Sequence, residues 1–157
     1  MRRAWEVERA SVVPAAAEDV WRRVATFAGI DDELRPFLTM SVPRGADDLT
    51  IDTAPVGEPL GRSWVRLFGV LPVEYDDLLL VEVERGRRFR EESTMFAMRR
   101  WVHDRTVEPV PGGALVTDRV VLEPRALLVL AGPLLRVVVA ALFAHRHRRL
   151  VRPRRRA

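Results

Sequence analysis

Three ionisable residues stand where strand alternation can bring them together. In Trp101-Val102-His103-Asp104-Arg105, the side chains of Trp101, His103 and Arg105 share one face of a strand. In the next segment Val116, Asp118, Val120 and Leu122 do the same. A turn centred near Pro111 places His103 opposite Asp118 and Trp101 opposite Val120, and a turn near Phe96-Ala97 brings Glu91 to His103. Glu91, His103 and Asp118 then form a row across three adjacent strands. Phe89, Trp101, Val116 and Val120 on the same faces mark that side as the concave one. Carboxylates beside a histidine orient its ring and favour its charged form. A histidine held in this way can serve as general acid or base on an enolisable carbonyl. It can equally hydrogen-bond a ligand carbonyl, or belong to an internal ion network that neutralises buried charge. Arg105 is placed to pair with Glu91 or with a ligand carboxylate, and pairing within the protein is the simpler use.

Other chemistry-bearing residues give weaker signals. Tyr75 and Asp77 fall on the expected inner face of their strand, where Tyr75 would offer a hydroxyl beside an apolar wall. Trp64 and Phe68 either line a pocket or fill the core. Asp31, Asp32 and Glu33 form an acidic cluster at an expected helix start, where they favour the helix dipole. His147 follows Phe143 by four residues and reads as a satisfied helix-end histidine on a stripe facing the sheet. His145 and His147 point to different sides and make no helical metal pair. With no cysteine in the chain, thiolate metal sites, disulfides and cysteine nucleophiles are excluded. The sequence carries no phosphate-binding glycine loop, no GxSxG and no HExxH, and no cofactor or metal is expected.

The elements that must position these residues are legible in outline. Trp5 to Val13 reads as a strand ended by Pro14. Ala15 to Ala25 has helical spacing, with Gly29 as a stop, and Ile30 to Leu38 holds a second short helix limited by Pro36. Strands follow at Thr39 to Val42, Leu49 to Ile51, Arg62 to Phe68, Val73 to Glu84, Arg88 to Thr94, Met98 to Glu108 and Leu115 to Pro124. In Val73 to Glu84, strict alternation puts Val73, Tyr75, Asp77, Leu79, Val81 and Val83 on one face. Consecutive strands with short turns are antiparallel, and a sheet with one apolar face needs a cover. Only the long final helix can lie across it, and the space between a curved sheet and that helix is a natural ligand cavity.

Composition supports one globular domain, residues 1–150, with a basic tail at 151–157. All 26 basic residues are arginine, and seven of them fall from Arg146 onward; without those seven the net charge of +4 becomes −3. Such a tail is expected to be a solvated end that offers at most a weak contact to an anionic membrane. It lacks the interleaved aromatics that base stacking uses, so no specific nucleic-acid partner is expected. Met1 to Arg9 has no apolar signal core, which points to the cytoplasm. The apolar run Ala126 to Ala144 carries Arg136 near its middle and is broken by Gly132-Pro133. It is therefore expected to be a buried helix rather than a membrane span.

In this order the segments resemble the SRPBCC superfamily, which includes START domains, birch-pollen-type allergens and polyketide aromatase/cyclases. The resemblance is carried by Ser11-Val12-Val13-Pro14-Ala15-Ala16-Ala17-Glu18-Asp19-Val20-Trp21, by Arg87-Arg88-Phe89-Arg90-Glu91, and by the segments around His103 and Asp118. The closing helix, Leu142 to Leu150, completes it. Met95-Phe96-Ala97-Met98 stands where the ligand-binding branch often has Gly-Pro. The resemblance implies an α+β helix-grip fold: a curved antiparallel sheet of six to seven strands around a long C-terminal helix, with two short helices between the first two strands. It implies a cavity for a small hydrophobic molecule such as a lipid, polyketide or isoprenoid, in a monomer or homodimer. Tyr75, Trp64, Phe89, Trp101, His103, Arg105 and Phe143 are the expected ligand-binding residues. A cyclase, aromatase or dehydratase using His103 with Asp118 or Glu91 is the other reading; the fold alone implies no single chemistry.

Overall fold

The computed structural model describes residues 3–153. Strand β1 (Trp5–Val13) leads into helices α1 (Ala17–Val24) and α2 (Phe27–Leu34). Strands β2 (Leu38–Met40), β3 (Pro59–Leu67), β4 (Leu71–Glu84), β5 (Arg88–Met95), β6 (Met98–Val110) and β7 (Gly113–Pro124) follow. A short 3-10 helix (Ala126–Ala131) then enters the long helix α3 (Gly132–Val151). The seven strands form one antiparallel sheet in the order β1-β7-β6-β5-β4-β3-β2. This is the α+β helix-grip architecture expected from the sequence.

The turn between α1 and α2 shows why some boundaries differ from expectation. Gly29 does not stop a helix; it lies inside α2. Its backbone N–H donates to the Thr26 hydroxyl at 3.0 Å, so Thr26 caps α2 one turn earlier than the apolar spacing suggested. A Cβ at Gly29 would lie 1.7 Å from the Arg23 carbonyl oxygen, so only glycine fits this close approach. The strand expected at Leu49 to Ile51 reduces to a single bridge between Thr26 and Thr50. At the other end Pro133 opens α3 as expected. Gly132 lets the helix start against the Trp5 ring, where an added Cβ would come within 2.2 Å of ring carbons.

The concave face carries two apolar clusters. One gathers Val20, Trp21 and Val24 of α1 with Phe89, Val107, Val116 and Leu150. The other gathers Trp101, Val120 and Leu122 with Val139 and Phe143 of α3. Strand alternation places a polar band between them. On β6 Arg105 and His103 lie between Val107 and Trp101, and on β7 Asp118 lies between Val116 and Val120.

Helix α3 packs on β1, β7 and α2 through the face that buries Val139, Phe143, Arg146, His147 and Leu150. The helix is buried on that face only. Leu134, Val137 and Val138 are exposed, and Leu127 and Leu130 of the preceding turn are 96% and 95% exposed. By length and composition, Ala126–Val151 is apolar enough to cross a membrane. In the fold this segment is the helix that the sheet grips. The basic cluster is corrected. Arg146 is no tail residue but is buried against Glu33, and Arg149 reaches Asp32 at 3.1 Å. Arginines 154–156 lie outside the described residues.

Candidate functional site

A cavity of about 280 Å³ opens between the concave face of the sheet, α2 and α3. Its wall is mainly aliphatic and aromatic, with Leu34, Ile51, Leu80, Phe89, Trp101 and Leu142 among the lining side chains. Polar groups gather on one side, where β4, β5 and β6 supply Asp76, Glu91 and His103.

The three-residue row exists, with one change of register. His103 pairs with Val120 and Arg105 with Asp118, so the β6–β7 ladder is shifted by two residues from the expected pairing. A two-residue shift preserves the face. His103 therefore still meets Asp118 on the diagonal, with Nε2 2.7 Å from Oδ1. Glu91 lies opposite His103 as expected, but its Oε2 is 3.9 Å from Nδ1, too far for a hydrogen bond. Glu91 instead accepts from the Ser93 hydroxyl at 2.7 Å.

Asp118 is the hub. It takes a two-pronged contact from Arg105 (Nε to Oδ1 and Nη2 to Oδ2, both 2.7 Å) and a third bond from His147 Nε2 at 2.7 Å. Burial alone would raise the Asp118 carboxyl; Arg105 and His103 overcome it and hold the acid well below its usual range. As a carboxylate Asp118 only accepts, so both histidines donate to it from Nε2–H. The His147 Nδ1 atom is buried without a partner. His103 is further fixed by the edges of Phe89 and Phe143, whose ring centres lie 5.4 and 5.2 Å away.

Arg105 does not pair with Glu91, nor does it reach the cavity wall. Its second partner is Glu33, at 2.7 and 2.9 Å, and Glu33 also accepts from Arg146 Nε at 2.8 Å. This overturns the dipole reading of Asp31, Asp32 and Glu33. Because α2 begins at Phe27, the triplet lies in its second half, where the helix dipole disfavours carboxylates. Arginines hold them instead: Arg35 on Asp31, Arg23 and Arg149 on Asp32. For Glu33, burial pushes the acid up, and Arg105 and Arg146 outweigh it and bring it below its usual range.

Two further expectations are corrected. Tyr75 and Trp64 lie outside the cavity, edge to face with each other at 5.8 Å on the outer surface, with the Arg62 guanidinium 3.7 Å from the Tyr75 ring centre. Asp77 pairs with Arg62 there. The cause is a bulge between Leu80 and Glu82. Val83 faces inward opposite Phe89 as expected, but the extra residue inverts the parity of the stretch before it, so Asp76, Leu78 and Leu80 turn inward instead. Phe143 packs on His103 and Trp101 behind the wall rather than on it. Phe89, Trp101 and His103 do line the cavity. Sequence reasoning missed Asp76, Glu33 and Arg146. Only the need of a buried arginine for more than one carboxylate could have pointed to Glu33.

Asp76 has a surrounding of its own. It is 4% exposed, its Oδ1 has no hydrogen-bond partner, and its cross-strand neighbour Ser63 also has a buried hydroxyl without one. Burial and the adjacent Glu91 carboxylate push the Asp76 acid well above the usual range. Among the described residues no group of three or more side chains has a metal-binding arrangement.

The fold and its site define a helix-grip protein with a mainly apolar cavity beside the sheet. Residues 11–153 match the family model described as "Domain of unknown function (DUF8410)", and the chain belongs to that family. No match was found among curated proteins. Solved structures share the fold at low identity. A Chromobacterium violaceum protein is 15% identical with a TM-score of 0.68, covering 94% of this chain and 99% of its own. A START superfamily protein from Mycobacterium smegmatis is 12% identical (TM-score 0.67, 93% and 94%). An aromatase/cyclase from a Streptomyces species is also 12% identical (TM-score 0.69, 95% and 92%). These likenesses confirm the START-like helix-grip fold.

Proposed function

We propose that this protein binds a small hydrophobic molecule, of lipid, polyketide or isoprenoid type, in the cavity between the sheet and α3. The observation that carries the reading is the cavity itself: an apolar interior space with a few polar groups on one wall. Phe89, Trp101 and His103 form part of that wall, and His103 is held rigidly enough to orient a polar group on the ligand. Titration with an apolar fluorescent dye, alongside native mass spectrometry of gently purified protein, tests this. Leu142 lines the cavity, and Leu142→Trp fills part of it; dye affinity should fall by about tenfold. Dye binding that is absent, or indifferent to this substitution, sinks the proposal.

The same wall supports a second reading, acid–base catalysis by His103 with Glu91. It is favoured by the Nδ1 edge of His103, which faces Glu91 while Asp118 holds the opposite nitrogen. Asp118 itself has both oxygens occupied and supports the ring rather than moving a proton. Conversion of an enolisable polyketide by the wild type but not by His103→Ala would decide for this reading.

A further inference from the structure

The polar side of the cavity is unbalanced in charge. Three carboxyl side chains, Glu74, Asp76 and Glu91, contribute to its lining. Glu74 is spent on backbone N–H groups of Tyr75, Phe96 and Ala97. Asp76 and Glu91 lean towards each other across Ser93. Against these three carboxyls the lining holds one arginine, Arg146, which pairs through Nε with Glu33; Arg105 is held by Glu33 and Asp118, and His103 by Asp118. Among the described residues no arginine forms an ion pair with Asp76 or Glu91, and the nearest ring nitrogen, on His103, is 3.9 Å from Glu91. Two buried carboxyl groups without a countercharge are costly. The structure meets that cost by favouring the protonated form of one of them. Asp76 lines the cavity, and its buried Oδ1 atom has no hydrogen-bond partner.

We infer that the ligand of this cavity is an apolar amine whose ammonium group sits between Asp76 and Glu91. This rests on the ligand-binding reading above and narrows it. An ammonium brings three donors and the missing positive charge, and the apolar wall receives the rest of the molecule. The ammonium charge favours the carboxylate form of Asp76, and the proton so displaced goes to the solvent. A carboxylate ligand would meet like charges on the same wall and is disfavoured.

A ladder of probes with one chain length tests the inference on the full-length protein at neutral pH. Decylamine, decanol and decanoate compete against the apolar dye. Decylamine should bind about tenfold more tightly than decanol, and decanoate most weakly. Asp76→Asn and Glu91→Gln keep side-chain shape and should each weaken decylamine by about tenfold while leaving decanol within about twofold. Decanoate binding as well as decylamine, or amine affinity untouched by both substitutions, overturns the inference. The wild-type ladder decides even if a variant fails to fold. If neither dye nor decanol enters, the ligand-binding reading falls with it. If decanol enters and the amine has no advantage, only the inference falls.

Discussion

Glu33→Gln is the sharpest test of how the interior is held together. Glu33 is fully buried and accepts three charge-assisted hydrogen bonds, two from Arg105 and one from Arg146, at 2.7 to 2.9 Å. The amide keeps the volume but removes the charge, leaving Arg146 without its carboxylate and Arg105 with Asp118 alone. Breaking a buried ion pair from one side costs about 3–5 kcal/mol. A domain has only about 5–15 kcal/mol in total. At about 2–4 °C per kcal/mol for this chain length, the melting temperature should fall by about 6–20 °C. Urea denaturation followed by tryptophan fluorescence and circular dichroism measures the loss directly. The pH dependence carries a second check. The Glu33 acid is below its ordinary value in the folded state, so its stabilisation is complete above about pH 4.5 and is lost as pH falls through the folded value. The gap between wild type and variant should be widest near pH 7 and narrow on acidification below 4.5. A loss under about 1 kcal/mol, or a gap that does not change with pH, would refute the claim that charge compensation by Glu33 holds this region.

Asp76 should behave in the opposite sense. Its acid is raised in the folded state, so the native form is favoured below the unfolded value of 3.8, and that advantage is lost as pH rises through the folded value. Asp76→Asn should therefore raise the melting temperature at pH 7–8 and do so less at pH 4; equal shifts at both would refute the assignment. Trp64→Ala and Tyr75→Ala remove rings on the outer surface, and dye affinity for the cavity should stay within about twofold of wild type. A tenfold loss in either would mean that these rings reach the ligand.

The fold was legible because its signals are local. The strand–helix order, the proline at the start of α3 and the alternation on β6 and β7 required no knowledge of distant contacts. The His103–Asp118 contact was legible for the same reason, since an error of two residues in register leaves a side chain on its face. The β4 wall was not. One extra residue at Leu80–Glu82 exchanges inside for outside, and alternation alone cannot announce it. That single bulge moved Tyr75 out of the cavity and Asp76 into it. Glu33 was illegible for a different reason. Its partners lie 72 and 113 residues away, and Asp31-Asp32-Glu33 reads as a solvated acidic run until Arg105 and Arg146 are placed beside it.

The polar band explains where the cavity sits. Across β6 and β7 the band meets α2 and the arginine- and histidine-bearing face of α3, and there two arginines match two carboxylates in close contact. A matched set of this kind can pack without leaving space, because every oxygen has a donor. The band continues onto β5 and β4 as Glu91, Ser93 and Asp76, but α3 rests on β1 and β7 at the other side of the sheet, and its cavity-lining cation, Arg146, pairs with Glu33 rather than with them. The curl of the sheet carries those side chains around towards α2 and α3 and leaves a gap bordered by carboxyl groups that lack a positive partner. Hydrophobic burial alone would favour closing such a gap with larger side chains. Two carboxyls on an otherwise apolar wall make closure unfavourable unless a partner group enters with it. The cavity and its unmatched acids therefore have one physical origin, the offset of the gripped helix towards one side of the sheet.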